Sequence, residues 1–193
     1  TLKLVEDKVG NLLVRYRRGK QRIPRPICLT AHIDHPGFVA SRMMSTGKLR
    51  ATWYGGVEPK YFPGSRVRFF TDGEWVRGKV TSIVTARRGT RTVVKSAVIA
   101  VSKAKAVAAG SPGMWDFPDP VIRGGRIHAR ACDDLAGVAG MLACLHDLDS
   151  RRPSGDGYFL FTRAEEVGFV GAMAACKLGT IPKRCVVIAV ETS

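Results

Sequence analysis

Apolar residues alternate with polar ones through the first hundred or so positions of this chain, and take helical spacing only toward its end. A turn at Lys8–Asn11 leads into an alternating run from Leu12 to Tyr16. A second apolar run, Ile27 to Ala31, starts after Pro24 and Pro26, residues that sit at strand beginnings because they cannot donate to a ladder. From Ser41 to Gly113 the pattern breaks into short alternating runs cut by STGK, YGGVEPK, FPGS, TDGE and ARRGT. TDG between apolar runs is a hairpin signal, and frequent turns between short strands predict a small β-barrel or sandwich. Only SKAKAVAAG in this stretch has a helical composition. Beyond it, Arg126–Cys132 reads as a strand. Asp134–Asp149 reads as a helix that is apolar nearly all round (Leu135, Val138, Met141, Leu142, Leu145, Leu148) and therefore buried. Tyr158–Thr162 is a buried strand, Glu165 and Glu166 open a helix running through Phe169 to Leu178, and Val186–Val190 is a last strand.

This order predicts an α/β domain made of residues 1–40 and 114–193, interrupted by a β-barrel-like domain at 41–113. In such sheets the carboxyl ends of parallel strands converge on one crevice, where ligands bind. Three acidic positions fall at expected strand ends: the Asp133–Asp134 pair, the Glu165–Glu166 pair and Glu191. His32 ends another apolar run, with Asp34 placed to orient its ring, as a metal-binding histidine requires. Each feature alone has an ordinary explanation: a histidine near a turn, acids in a first helical turn, a solvated strand end. Their coincidence at one edge does not. Carboxylates gathered there repel one another unless a cation lies between them. Imidazole and carboxylate donors without thiolate suit Zn, Co or Mn. Two such ions need a bridging carboxylate and a free one beside them to move a proton. His35, His128, His146 and Cys132 are set aside as surface or structural residues.

Charge refines the picture without changing it. The 193 residues carry a net +15, and 14 of the Lys and Arg against 3 Asp and Glu lie between Ser41 and Gly113. Positions 114–193 are nearly neutral, 9 against 10. No nucleic-acid recognition motif accompanies the basic excess, so a solvated surface outweighs nucleic-acid contact as its reading. No apolar run approaches a membrane span of roughly 18 residues, and TLKLVEDKVGN lacks a signal-peptide core. Five cysteines without CxxC or an even framework suggest reduced thiols and a cytoplasmic protein.

AHIDHPGF, YGGVEPKYFPGSRVRFF, ACDDLAG, RAEEVGFVGA and VVIAVET, in that order, together resemble the dinuclear-zinc aminopeptidases that assemble into tetrahedral dodecamers. The resemblance covers nearly the whole chain. It implies a zinc-peptidase-like α/β/α layered domain with a small inserted β-barrel that helps assembly, two divalent metal ions, peptide substrates and a homo-oligomer. It implies that His32 and Glu191 bind one metal, Glu166 the other, and that Asp133 bridges them through a cis bond to Asp134. Asp34 would stand behind His32, and Glu165 would be the general base and acid. It also implies a further histidine ligand beyond Ser193 and a helix before Thr1, so the chain corresponds to part of such a protein, with impaired activity. Leu135, Ala164 and His35 depart from the residues usual at their positions (Arg, Gln and an acid), which bears on substrate preference. Two other readings stand beside this one: a related metal-dependent deacylase acting on a non-peptide amide, and a non-catalytic basic binding module.

Overall fold

The computed structural model describes residues 1–20, 23–102 and 104–192. Strands β1 (Leu2–Glu6), β2 (Leu12–Arg18) and β3 (Ile27–His32) come first. Then follow β4 (Gly37–Ser45), β5 (Lys48–Tyr54), β6 (Arg66–Thr71), β7 (Glu74–Arg88), β8 (Arg91–Val101) and β9 (Pro112–Trp115). A short pair, β10 (Val121–Arg123) and β11 (Arg126–His128), precedes helix α1 (Cys132–Arg151), β12 (Gly155–Thr162), helix α2 (Val170–Leu178) and β13 (Val186–Ala189). The chain forms two compact units, one of Pro36–Arg130 and one of Thr1–His35 with Ala131–Ser193. The change in composition suggests boundaries at 41 and 113. Pairing of Gly37–Ala40 with Ala51–Tyr54 starts before the charge density rises.

In the Pro36–Arg130 unit, β4-β5-β8-β7-β6-β9 close into a barrel. Alternate residues of these strands point inward and bring Phe38, Leu49, Trp53, Val67, Phe69, Val80 and Ile99 into one core with Phe62. Its aromatics meet edge to face, Phe38 on Trp53 at 4.6 Å and Trp53 on Phe62 at 4.9 Å between centroids. The β6–β7 turn is the two-residue type that TDG signals: Asp72 and Gly73 both have positive φ, 49° and 77°, matching the twist of the strands they join. SKAKAVAAG is not helical in its described residues. Tertiary bonds outbid its local preference: Val107 enters the barrel core, and the Ala108 N–H donates to Thr71 Oγ1.

In the other unit five strands lie in the order β1-β2-β12-β3-β13. β12 and β13 run parallel to β3, and β2 runs antiparallel to β12. Successive β12 residues serve opposite faces. Phe159 and Phe161 pack with Met141 and Leu145 of α1; Tyr158 and Leu160 pack with Cys28 and with Ala175 of α2. The result is the α/β/α layering expected from sequence. Two expectations need correction. α1 is buried along one stripe only, through Gly137, Met141 and Leu145, while Leu135 and Leu142 are 40% and 53% exposed. Nor does 126–132 form one strand of this sheet: β11 ends at His128 and, among the described residues, pairs with β10 alone, across the Arg123–Arg126 turn. The RGG turn folds this segment onto its own neighbour, and α1 begins directly at Cys132.

Candidate metal centre

The carboxyl end of β3 buries His32, which is 4% exposed. Its Nδ1 lies 2.9 Å from the Asp34 backbone carbonyl. A carbonyl only accepts, so Nδ1 carries the proton and Nε2 is turned toward the acids. Nε2 lies 3.1 Å from Asp133 Oδ1, 3.8 Å from Glu191 Oε1 and 3.9 Å from Glu165 Oε2. Asp34 therefore orients the ring mainly through its main chain, its carboxylate lying farther off at 3.7 Å. That carboxylate instead accepts the backbone N–H groups of Glu165 (3.0 Å) and Glu166 (3.2 Å).

Asp133 and Asp134 stand in a distorted first turn of α1, joined by a cis peptide bond and with non-helical backbone angles. Asp133 faces His32. Asp134 turns the other way, is fully buried, and accepts the His32 backbone N–H at 3.1 Å. Gly137 makes room for it: a Cβ there would lie 2.3 Å from Asp134 Oδ1. Asp134 thus pins the start of α1 to the end of β3, a role the sequence reading missed. The spacing DDxxG, an acid three residues before a glycine in a helical turn, is the signal that could have revealed it. Glu165 and Glu166 do not open α2, which starts at Val170. They sit in the preceding loop, whose Ala164 (φ 57°), Gly168 (φ 114°) and Phe169 (φ 56°) interrupt any helical run.

Donor atoms of His32, Asp133 and Glu191 lie within 4.8 Å of one another, as do those of His32, Glu165 and Glu166. His32 belongs to both groups, so the structure gathers all the candidate residues around one imidazole. Among the described residues, His32 is the partner in every ion pair these acids make. The strain shows in their protonation. Burial, then the charges of Glu165 and Asp133, push the Glu166 carboxyl up to about 7. Burial, a hydrogen bond with Asp133 and the charges of Asp134 and Asp133 raise Glu191. Burial also raises Asp134, against the hydrogen bond it accepts from the His32 backbone N–H. For His32, burial favours the neutral ring, but its bonds to Asp34 and Asp133 and the nearby carboxylates outweigh that and raise it. An imidazole beside crowded oxygen donors, with no Lys or Arg to balance them among the described residues, fits a divalent cation.

The M42 glutamyl aminopeptidase family profile matches residues 10–193. The chain belongs to that family. Among solved structures, the aminopeptidase of the archaeon Desulfurococcus kamchatkensis is 28% identical to this M42 chain and superposes with a TM-score of 0.75, covering 99% of this chain and 53% of that one. The TET aminopeptidase of a marine sediment Thaumarchaeota archaeon is 25% identical, with a TM-score of 0.77 over 99% of this chain and 56% of its own. The TET1 peptidase of Pyrococcus horikoshii, which can assemble into a tetrahedron or a large octahedral shell, shares the fold at 24% identity and a TM-score of 0.73, over 98% of this chain and 58% of that one. A curated protein of Acetivibrio thermocellus is 27% identical over 173 residues, 88% of this M42 chain. The chain spans half the length of that relative.

Proposed function

We propose that this chain carries the greater part of a two-metal aminopeptidase site that removes N-terminal residues from peptides. The observation that supports it most is the shared imidazole: His32 lies within reach of both acid groups. His32, Asp133 and Glu191 would hold one ion, and Asp133 with Glu166 the other; zinc, cobalt and manganese all suit such donors. When bound, these ions supply Lewis-acid polarisation of the scissile carbonyl and acidify a water. Glu165, whose backbone N–H is held by Asp34, would take a proton from the attacking water and return it to the leaving amine. Asp34 O holds the His32 ring through Nδ1, which would leave Nε2 free to donate its lone pair to a cation. The unit of Thr1–His35 and Ala131–Ser193 is the catalytic part in this reading, with the barrel inserted into it. Self-association and a cytoplasmic location belong to the same reading. The first rests on likeness to the TET peptidases. The second rests on cysteine usage, and among the described residues no helix is long and apolar enough to cross a membrane.

The test combines metal titration with a substrate panel. Calorimetry with Zn, Co and Mn should show uptake by the wild-type chain, and Glu165→Gln should preserve that uptake while abolishing any turnover. An aminopeptidase hydrolyses free-amine aminoacyl substrates and spares their N-acylated counterparts; the reverse preference indicates a deacylase. No metal uptake, or full turnover in Glu165→Gln, refutes the reading.

A further inference from the structure

The loop that bears Glu165 and Glu166 is held at its tip by Asp34, but it is gripped at its neck by a residue far away in sequence. Asn11 is fully buried. Its Oδ1 accepts the Arg163 backbone N–H at 3.2 Å. Its Nδ2 donates to the Gly171 carbonyl at 2.9 Å and to Asp7 Oδ2 at 2.7 Å. Arg163 opens the loop after β12 and Gly171 stands in the first turn of α2 that closes it, and the two are joined by the Gly171 N–H donating to Arg163 O at 3.0 Å. One side-chain amide therefore clips both strands of the neck, using both of its donors and its acceptor.

Asn11 is itself fixed. Its backbone N–H donates to Asp7 Oδ1 at 3.0 Å, and its carbonyl accepts the Asp7 N–H at 2.9 Å. Asp7 Oδ2 also accepts the Thr180 hydroxyl at 3.0 Å, which ties this turn to the far end of α2. The neck has no slack: a Cβ on Gly171 would lie 2.2 Å from Arg163 O and 2.5 Å from Asn11 Oδ1. Such a grip has something to restrain, because Ala164 and Phe169 inside the loop hold left-handed φ values that ordinary residues avoid. A loop released from its neck would relax these residues, and both glutamates would move with it.

We infer that Asn11 is a positioning residue, holding the 163–171 loop in the one conformation that presents Glu165 and Glu166 to the site. The inference rests on the metallopeptidase reading for its consequence, and on the hydrogen bonds alone for the clamp. Outer residues that orient metal ligands are typically worth 10–100-fold in metal affinity, and a small misplacement of a reacting group can cost 10²-fold in rate.

The experiment compares Asn11→Ala with Asp156→Asn, a control that loosens the Arg15 ion pair in the same unit without touching the loop. Amide hydrogen exchange across 163–171 is read first, then Co or Zn affinity by calorimetry. Asn11→Ala should speed exchange at the Glu165 and Glu166 amides by about tenfold or more relative to the control, and weaken metal binding by about tenfold or more. Asp7→Asn, which leaves Asn11 in place but weakens its anchor, should shift both readouts the same way by less. It serves if Asn11→Ala does not fold. Unchanged loop exchange, or unchanged metal affinity beside faster exchange, overturns the inference. A wild-type chain that takes up no metal instead sinks the peptidase reading, while the exchange comparison still decides the clamp.

Discussion

Glu166 gives the site a pH signature that can be read without any substrate. Its carboxyl ordinarily titrates at 4.5 and in the folded chain is pushed up to about 7, chiefly by burial. Below 4.5 it is protonated in both the folded and unfolded states. Between 4.5 and about 7 the unfolded chain releases the proton and the folded chain keeps it, so the metal-free fold loses stability as pH rises through that window. The shift corresponds to an upper limit of about 3 kcal/mol, which partial solvent exposure brings down to about 1–2 kcal/mol. For a chain of this size that is roughly 2–8 °C in Tm. Glu191 and Asp134, also raised, act with the same sign. His32, raised as well, adds stability that is fully present below its ordinary 6.5 and lost as pH passes its folded value. Subtraction therefore isolates Glu166: thermal unfolding followed by circular dichroism in chelator, from pH 4.5 to 8, for wild type and Glu166→Gln. The wild-type Tm should fall across the window, and the variant should fall by the stated amount less. Zinc or cobalt at about 100 times its dissociation constant should add back about 2.7 kcal/mol near pH 7.5, because the ion takes the place of the missing proton. A wild-type Tm that stays level from pH 4.5 to 7.5, or a variant that falls as steeply as wild type, refutes the electrostatic account.

Burial pushes the Cys28 thiol up to about 12, helped by the charge of Cys185, and the thiolate is the reactive form. Iodoacetamide at pH 8 should therefore label exposed Cys144 and Cys176 in the folded chain and reach Cys28 only after unfolding, as peptide mass spectrometry would show. In the barrel, a Cβ on Gly113 would lie 2.4 Å from the buried Phe69 ring. Gly113→Ala should cost about 1–3 kcal/mol in urea unfolding, and an unchanged midpoint would mean the ring has room to move.

The sequence made the gathered residues legible wherever an apolar run stopped at a polar side chain. His32 closes the run of β3 and Glu191 follows that of β13, and a parallel sheet sends such ends to one edge. The barrel was legible because its turns are chemically explicit, Asp72–Gly73 above all. Local pattern failed where long-range bonds decide. RIHARAC looks like a strand leading to Asp133, yet its pairing partner is β10, and Asp133 arrives instead on the distorted start of α1. Glu165 and Glu166 look like the acidic first turn of a helix, but Asp34 has taken their backbone N–H groups and Asn11 holds the neck of their loop. Asn11 itself is unremarkable in sequence, an asparagine in a polar turn, because the loop residues it grips are more than 150 positions away.

Two kinds of carboxylate coexist in this one unit, and the contrast between them argues for a cation. Asp156 is a structural acid: it is nearly buried, bonded bidentately to Arg15 at 2.9 and 2.7 Å, with Arg184 at 4.0 Å. Its hydrogen bonds to Arg15 hold it below the usual range despite burial. Asp34 is occupied too, by backbone N–H donors. Among the described residues the acids around His32 have no such guanidinium, and where their titration shifts it shifts upward, toward giving up charge. A fold that needed these side chains only for packing could supply a guanidinium, as it does for Asp156, or replace them with apolar groups at little cost. Instead it uses Asp34, Asp134 and Gly137 to hold these acids close around one imidazole, an arrangement that a cation from outside the chain would make favourable.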